Sequence, residues 1–217
     1  MISVEVDPAQ LAEAQERLAY LRNGANRALA RALNRTANKA KTLASKQIRT
    51  QVRLSAADVR ERLAGPGNRF DCKATVARLT AKISTPKRGL RLDNFLVSAP
   101  PTRAGRPATP IKVRVKPTGP AKTIASGWWV RAKNSGGYLI VVRNDVLRKL
   151  GMKEKITGNL SYSALSGPSL SQVFASVKDD LAGDLETVLA DNLQHEMEWL
   201  IAKYPPPGDD GSGEEGA

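Results

Sequence analysis

The chain has 217 residues, 41% of them hydrophobic and 5% aromatic, enough for one good core or one core with extensions. Its 34 Lys and Arg against 21 Asp and Glu give a formal charge of +13 and an isoelectric point near 10.1, which points to a polyanionic partner or an acidic protein surface. One cysteine, Cys72, and one histidine, His195, exclude a disulfide framework and a Cys- or His-based metal centre, and no run approaches the roughly 18 apolar residues of a membrane span.

The charge is unevenly placed. Residues 1–168 hold 32 Lys and Arg against 10 Asp and Glu, a net of +22, whereas residues 169–217 hold Lys178 and Lys203 against 11 acids, a net of −9. A basic body and an acidic end can neutralise each other within the fold or between subunits. Met1 to Pro8 has neither a basic start nor a long apolar core, so it does not read as a signal peptide. The expectation is a soluble protein made in the cytoplasm.

In chain order, Ile2 to Val6 alternates apolar and polar residues and suits a short edge strand. Asp7-Pro8 supplies an N-cap followed by proline at the first helical position, with Gln10 spaced for a capping box. The helix it opens is predicted to reach about Arg22, with Leu11, Ala14, Leu18 and Leu21 on its apolar side, and Asn23-Gly24 marks a stop or kink. From Gly24 to Arg53 the sequence predicts one long basic helix without an acidic residue. At roughly 100° per residue, Arg27, Arg31, Arg35, Lys39, Lys46, Arg49 and Arg53 fall within a sector of about 120°. Leu29, Leu33, Ala37, Ala40, Ala44 and Ile48 form the opposite stripe, whose alanines let a packing partner come close to the backbone. Ser55 and Asp58 are spaced as a further capping box, for a short helix through Leu63 that stops at Gly65-Pro66-Gly67.

Beyond that point the period changes to two. Lys73 to Ser84 predicts a half-buried strand with a basic wet face, beginning next to Cys72, which reads as a small, partly buried residue. Ile111 to Lys116, Trp128 to Lys133 and Gly137 to Arg143 predict three more strands, the last two joined through Asn134-Ser135-Gly136-Gly137. Short links favour one antiparallel sheet of about four strands across 73–143. Between the first two strands, Pro86 to Pro110 reads as an extended loop or arm, made cationic by Lys87, Arg88, Arg91, Arg103 and Arg106. It is either a solvated loop or a contact with nucleic acid or a neighbouring subunit.

Asn144 to Ser171 reads mostly as loop. Ser169 then caps a last helix over 169–203, whose apolar face includes Phe174, Leu181, Leu185, Leu189, Leu193 and Leu200. Asp179, Asp180, Asp184, Glu186 and Asp191, with Glu196 and Glu198, make that helix acidic and offer a subunit interface. Pro205 to Pro207 stops it, and 205–217 is predicted to be a disordered acidic tail. The expected fold class is α+β: a helical N-terminal part with a long basic helix, the antiparallel sheet, and the long C-terminal helix packed on it, in a single domain over 1–204.

Convergent catalytic groups are scarce. His195 would have to carry any Ser-His-Asp arrangement, yet it stands far along an acidic helix, and no serine sits in a glycine elbow. A helix-surface or interface residue is its better reading. Gly136-Gly137 is too little for a phosphate-cradling loop, and carboxylates gathered on one helix read as a solvated or interfacial face. The sequence predicts no enzymatic activity, no cofactor and no metal.

The run Asn26-Arg27-Ala28-Leu29-Ala30-Arg31-Ala32-Leu33-Asn34-Arg35-Thr36 resembles the N-terminal helix of the prophage minor tail protein Z family, tail completion proteins of long-tailed phages. Leu165-Ser166-Gly167-Pro168-Ser169-Leu170-Ser171-Gln172-Val173-Phe174 resembles that family's loop into its last helix, with Ser166 where a larger residue is usual. Leu193-Gln194-His195-Glu196-Met197 is similar to a further run of the family. The resemblance spans roughly 10–204, and its motifs are structural rather than catalytic. It implies a virion protein at the head–tail junction, made in the host cytoplasm, that completes the head-proximal end of a tail so that tail joins head. The partners implied are copies of itself in a ring of six or twelve, neighbouring neck or tail-terminator and tail-tube proteins, and non-specific contact with phage DNA, with no membrane. Three readings stay open for the basic stripe: contact with acidic surfaces on another subunit or neck protein, a lumen or DNA-facing role, and a solvated face. The stripe lacks the interleaved aromatics that stack single strands, and Trp128-Trp129 reads as sheet core or interface. The competing class is a free, sequence-independent DNA-binding or packaging accessory protein, against which the acidic last helix argues.

Overall fold

A computed structural model of the chain describes residues 2–63, 73–98, 103–105, 107, 109–132, 137–149, 151 and 161–207. Cys72, Arg106, the turns at 65–67 and 134–136 and the segment 208–217 lie outside the described residues. The architecture is α+β, with small antiparallel sheets and a long C-terminal helix. Contacts gather the chain into two compact units: Met1–Ser45, Arg60–Thr85 and Ala175–Ala217 form the first, and Lys46–Val59 and Pro86–Phe174 the second.

The first unit is built on helices. Strand β1 (Ile2–Val4) pairs antiparallel with β2 (Ala81–Ile83), in register Ile2 to Ile83. Helix α1 (Pro8–Arg17) starts on proline as expected, but the Asp7 side chain makes no capping hydrogen bond, so the predicted box with Gln10 does not form. It also ends earlier than predicted. The chain turns over 18–23 through three-residue hydrogen bonds, Leu21 N–H to the Leu18 carbonyl and Gly24 N–H to the Leu21 carbonyl, and Asn23 takes φ +57°. A Cβ on Gly24 would stand 2.7 Å from Leu21 Cβ, so the tight approach of this turn to the next helix needs glycine.

Helix α2 (Gly24–Gln51) follows, with Leu29, Leu33, Ala37, Ala40 and Ala44 fully buried as its stripe predicts. Burial covers more of its circumference than that stripe, because Ala28, Ala32 and Thr36 are fully buried too. The mostly small side chains on these positions give neighbouring backbone room to approach. Along it runs α5 (Leu170–Lys203), antiparallel, since Arg31 meets Trp199 while Thr36 meets Asn192. The predicted strand Lys73 to Ser84 is strand only at β2. Its first half is a tight turn in which Thr75 and Arg78 exchange backbone hydrogen bonds of 2.8 and 3.0 Å, which overrides the alternating pattern. Asn34 pins this turn to α2, its side chain exchanging hydrogen bonds with both backbone groups of Ala74.

The second unit carries the other strands. Ser55 Oγ accepts the Asp58 N–H at 3.0 Å and bonds the Asp58 carboxylate, capping α3 (Ala56–Arg62) as its spacing predicts. Strands β6 (Trp128–Arg131), β7 (Tyr138–Arg143) and β8 (Tyr162–Ala164) form a three-stranded sheet. Strand β4 (Ile111–Val113) pairs with β5 (Lys122–Ile124), and β3 (Gly89–Arg91) with β9 (Ser166–Ser169).

Two predicted loops are thereby corrected. The Pro86 to Pro110 segment is not wholly extended. It holds β3 and a 3-10 turn, Leu92–Phe95, that buries Leu92 and Phe95, and Leu96 bridges to Val113. Asn144 to Ser171 holds α4 (Asn144–Lys149), β8 and β9. At the end of β9, Ser169 Oγ accepts the Gln172 N–H at 3.2 Å while Gln172 Oε1 accepts the Ser169 N–H at 3.1 Å, a reciprocal box that starts α5 where the sequence places it.

Candidate functional site

The basic stripe of α2 begins with residues that spacing alone places on one side, and the structure divides them by what they touch. Arg27, Lys39, Lys46, Arg49 and Arg53 are exposed. Among the described residues no carboxylate lies within 4 Å of the first four. Arg53, in the second unit, donates from its guanidinium to the Leu96 carbonyl at 2.9 Å. Arg31 and Arg35 instead turn to one carboxylate on α5, that of Glu196. Arg35 Nε stands 2.9 Å from Glu196 Oε1, and Arg31 Nη1 stands 3.6 Å from Oε2. Glu196 is 2% exposed, while the two arginines are half exposed.

This is an asymmetric ion cluster: a buried anion held from outside by two cations that keep water on one side. The Arg35 contact is Coulombic rather than an aligned hydrogen bond, because the N–H does not point at Oε1 and that oxygen accepts no hydrogen bond within the described residues. A second layer sits over it. The Arg31 guanidinium carbon lies 4.6 Å and Lys203 Nζ 4.8 Å from the Trp199 ring centroid. Below it, Asn192 Nδ2 donates to the fully buried Thr36 Oγ1 at 3.0 Å. Further along, Arg35, Asn38, Lys39, Thr42, Val188, Asp191 and Asn192 line an open groove of about 510 Å³.

The other predicted site residues separate in the same way. Asp179, Asp180, Asp184, Glu186 and Asp191 are all exposed on α5, and among the described residues only Asp179 of these has a cation within 4 Å, its neighbour Lys178 at 3.6 Å. In the arm, Lys87, Arg88 and Arg103 are exposed, and Arg106 lies outside the described residues. Arg91 is held. Its Nε and Nη2 meet the two Asp93 oxygens at 3.0 and 2.8 Å, and Nη2 also donates to the Tyr138 carbonyl at 2.7 Å. Trp129 is buried and bonded through both backbone groups to Gly105, while Trp128 meets Tyr162 edge-on at 5.7 Å. His195 is exposed.

Glu196 is the residue the sequence reading missed, having been counted among the surface acids of α5. The signal for it was present: it stands three residues after Leu193 and four before Leu200, on the apolar face. No helix among the described residues is long and apolar enough to cross a membrane.

Chemically, the surface offers cations in a row, carboxylates in a row, and a fixed ion cluster between two helices, an arrangement suited to assembling with charged surfaces. The family model of Prophage minor tail protein Z (GPZ) matches residues 10–203, from within α1 to the last residue of α5. No curated protein and no solved structure matches the chain. The matched span takes in both units and nearly every element described above, so the chain belongs to the prophage minor tail protein Z family, structural proteins of the phage tail.

Proposed function

We propose that the protein completes the head-proximal end of a phage tail and helps join tail to head, as a ring of copies around the DNA path. Its family supports the tail. The observation that carries the ring is that the first unit presents two charged rows that leave each other unpaired. Arg27 and Lys39 have no carboxylate within 4 Å, and Asp180, Asp184, Glu186 and Asp191 have no cation within 4 Å, among the described residues. Surfaces of opposite sign on different parts of one chain suit a heterologous contact, repeated until rotation closes it. The cation surplus of +13 is then left for DNA or for an adjacent neck, tail-terminator or tail-tube protein. The role is structural rather than catalytic. A free DNA-binding role is the weaker reading, because the α5 carboxylates would repel a phosphate backbone and Arg31 and Arg35 already face Glu196.

Reversing three exposed acids, Asp180→Lys, Asp184→Lys and Glu186→Lys, is expected to change unfolding stability by no more than about 1 kcal/mol. In a phage carrying these substitutions, completed particles should fall by about ten-fold or more, with unjoined heads and tails accumulating in micrographs. A normal plaque titre with normally joined particles would remove this row from any interface.

A further inference from the structure

The excess positive charge is carried by one unit. The second unit holds 19 Lys and Arg against 4 Asp and Glu, a net of +15, whereas the first holds 15 against 17, a net of −2. From Asn94 to Asn144 the chain has nine cations and no acid. The units also differ in the apolar surface they show. Among the described residues the exposed large apolar side chains are Val76, Trp199 and Tyr204 in the first unit and Val97 alone in the second. A protein interface is ordinarily built round an apolar or aromatic centre. Trp199 and Tyr204 offer the first unit such anchors, and the second unit has no counterpart to them among its described residues.

Cations of the second unit gather along β4. Ile111 and Val113 are buried, so the alternation turns Lys112 to solvent, and Lys116, past the end of the strand, is exposed too. Arg114 between them is half-buried, and its Nε has no hydrogen-bond partner among the described residues. Gly119 N–H donates to the Lys116 carbonyl at 3.3 Å, and Pro117 and Pro120 fix φ on either side, which stiffens the tip. The C-terminal end of α2 is fastened to the same strand. Arg53 N–H donates to the Val115 carbonyl at 2.7 Å and its guanidinium to the Leu96 carbonyl at 2.9 Å, while Leu96 bridges to Val113. Lys46, Arg49 and Arg53 follow one another at steps of three and four, and all three are exposed. None of these six cations has a carboxylate within 4 Å among the described residues.

We propose that this face of the second unit, the wet side of β4 with the end of α2, holds the phosphate backbone of duplex DNA. An all-cation surface without an apolar centre suits phosphates, which ask for charge and for no particular base. Although the basic stripe of α2 starts in the first unit, the charge that can hold DNA lies in the second. Contact with DNA here rests on the proposed place around the DNA path, yet it is read on purified protein and free duplex, so its failure would leave that place untouched.

The test is binding of the full chain to a random-sequence DNA duplex, followed by fluorescence anisotropy from about 50 to 200 mM salt. Arg49→Gln, Lys112→Gln and Lys116→Gln together should weaken binding about thirty-fold at the low end, and lower the slope of log affinity against log salt by about two to three. The same loss of charge in the first unit, Arg22→Gln, Arg27→Gln and Lys39→Gln, should weaken it by about three-fold or less. Both variants should unfold at the wild-type urea midpoint, because every side chain changed is exposed. Equal losses in the two variants would show only a net-charge effect and overturn the proposal, as would a wild-type chain that leaves the duplex unbound at the lowest salt. Poly-glutamate that displaces the duplex as readily as unlabelled DNA of matched charge would assign the face to an acidic protein surface, and would overturn it as well.

Discussion

Replacing Arg31 and Arg35 together with alanine is expected to destabilise the protein by about 3 kcal/mol, more than exposed surface charges ordinarily contribute. The reason lies with their partner. Glu196 is 2% exposed beneath the two arginines, so removing both leaves a carboxylate without its counter-charges at the rim of an apolar face, where it is solvated from one side only. Arg35, at 2.9 Å, should account for more of the loss than Arg31, at 3.6 Å. Adding Glu196→Leu to the double variant should recover most of the stability, because Leu193, Met197 and Leu200 on the same face of α5 already make an apolar surround. Glu196→Leu alone should cost little, since the two half-exposed arginines can turn to solvent. Urea unfolding of the four variants measures this directly. If the double variant matched wild type, or if Glu196→Leu failed to rescue it, the cluster would not hold α2 to α5.

The second large effect is in the other unit. Phe95 is fully buried, and its carbonyl accepts the Arg114 N–H at 2.8 Å. A Cβ on Gly167 in β9 would lie 2.6 Å from Phe95 Cε2, closer than carbon atoms approach, and a tight 3.2 Å from Cδ2, so the ring lies against bare backbone. Gly167→Ala is therefore expected to cost about 2 kcal/mol, and Phe95→Ala about 4 kcal/mol through the cavity it leaves. Combined, they should cost about 1 kcal/mol less than their sum, because the cavity accommodates the added methyl group. Simple additivity in thermal or urea unfolding would contradict the contact.

These two sites also show where the sequence was legible. Helix α5 could be read closely because its boundary signals are local. Ser169 and Gln172 make the box that starts it, and Pro205 follows its end. The row of cations on α2 was equally plain from spacing. What they touch was not, because ion pairing joins residues far apart in the chain, as do Thr36 and Asn192 at a separation of 156. Glu196 shows the intermediate case. Its position among leucines marked it as buried, yet its charge suggested the surface, and burial became intelligible only once two arginines were found over it.

The strands failed for a different reason. The β3 and β9 segments are only three and four residues long, too short for a period to declare itself, and their pairing of Gly89 with Ser169 is non-local. In the other direction, Lys73 to Ser84 has a clean alternation that Thr75 and Arg78 break with a turn. Arg91 looked like one more cation of a mobile arm. The Leu90-Arg91-Leu92-Asp93 alternation was the only hint that it belongs to a folded edge with its own carboxylate.

Electron microscopy of virions and unjoined tails bearing a gold-binding tag fused after Ala217 would decide whether the protein sits at the head-proximal end of the tail. The expected result is label in a ring at the head–tail junction, and at one end of every completed tail that lacks a head. Label along the tube, at the distal tip, or spread through the head with the DNA would contradict it.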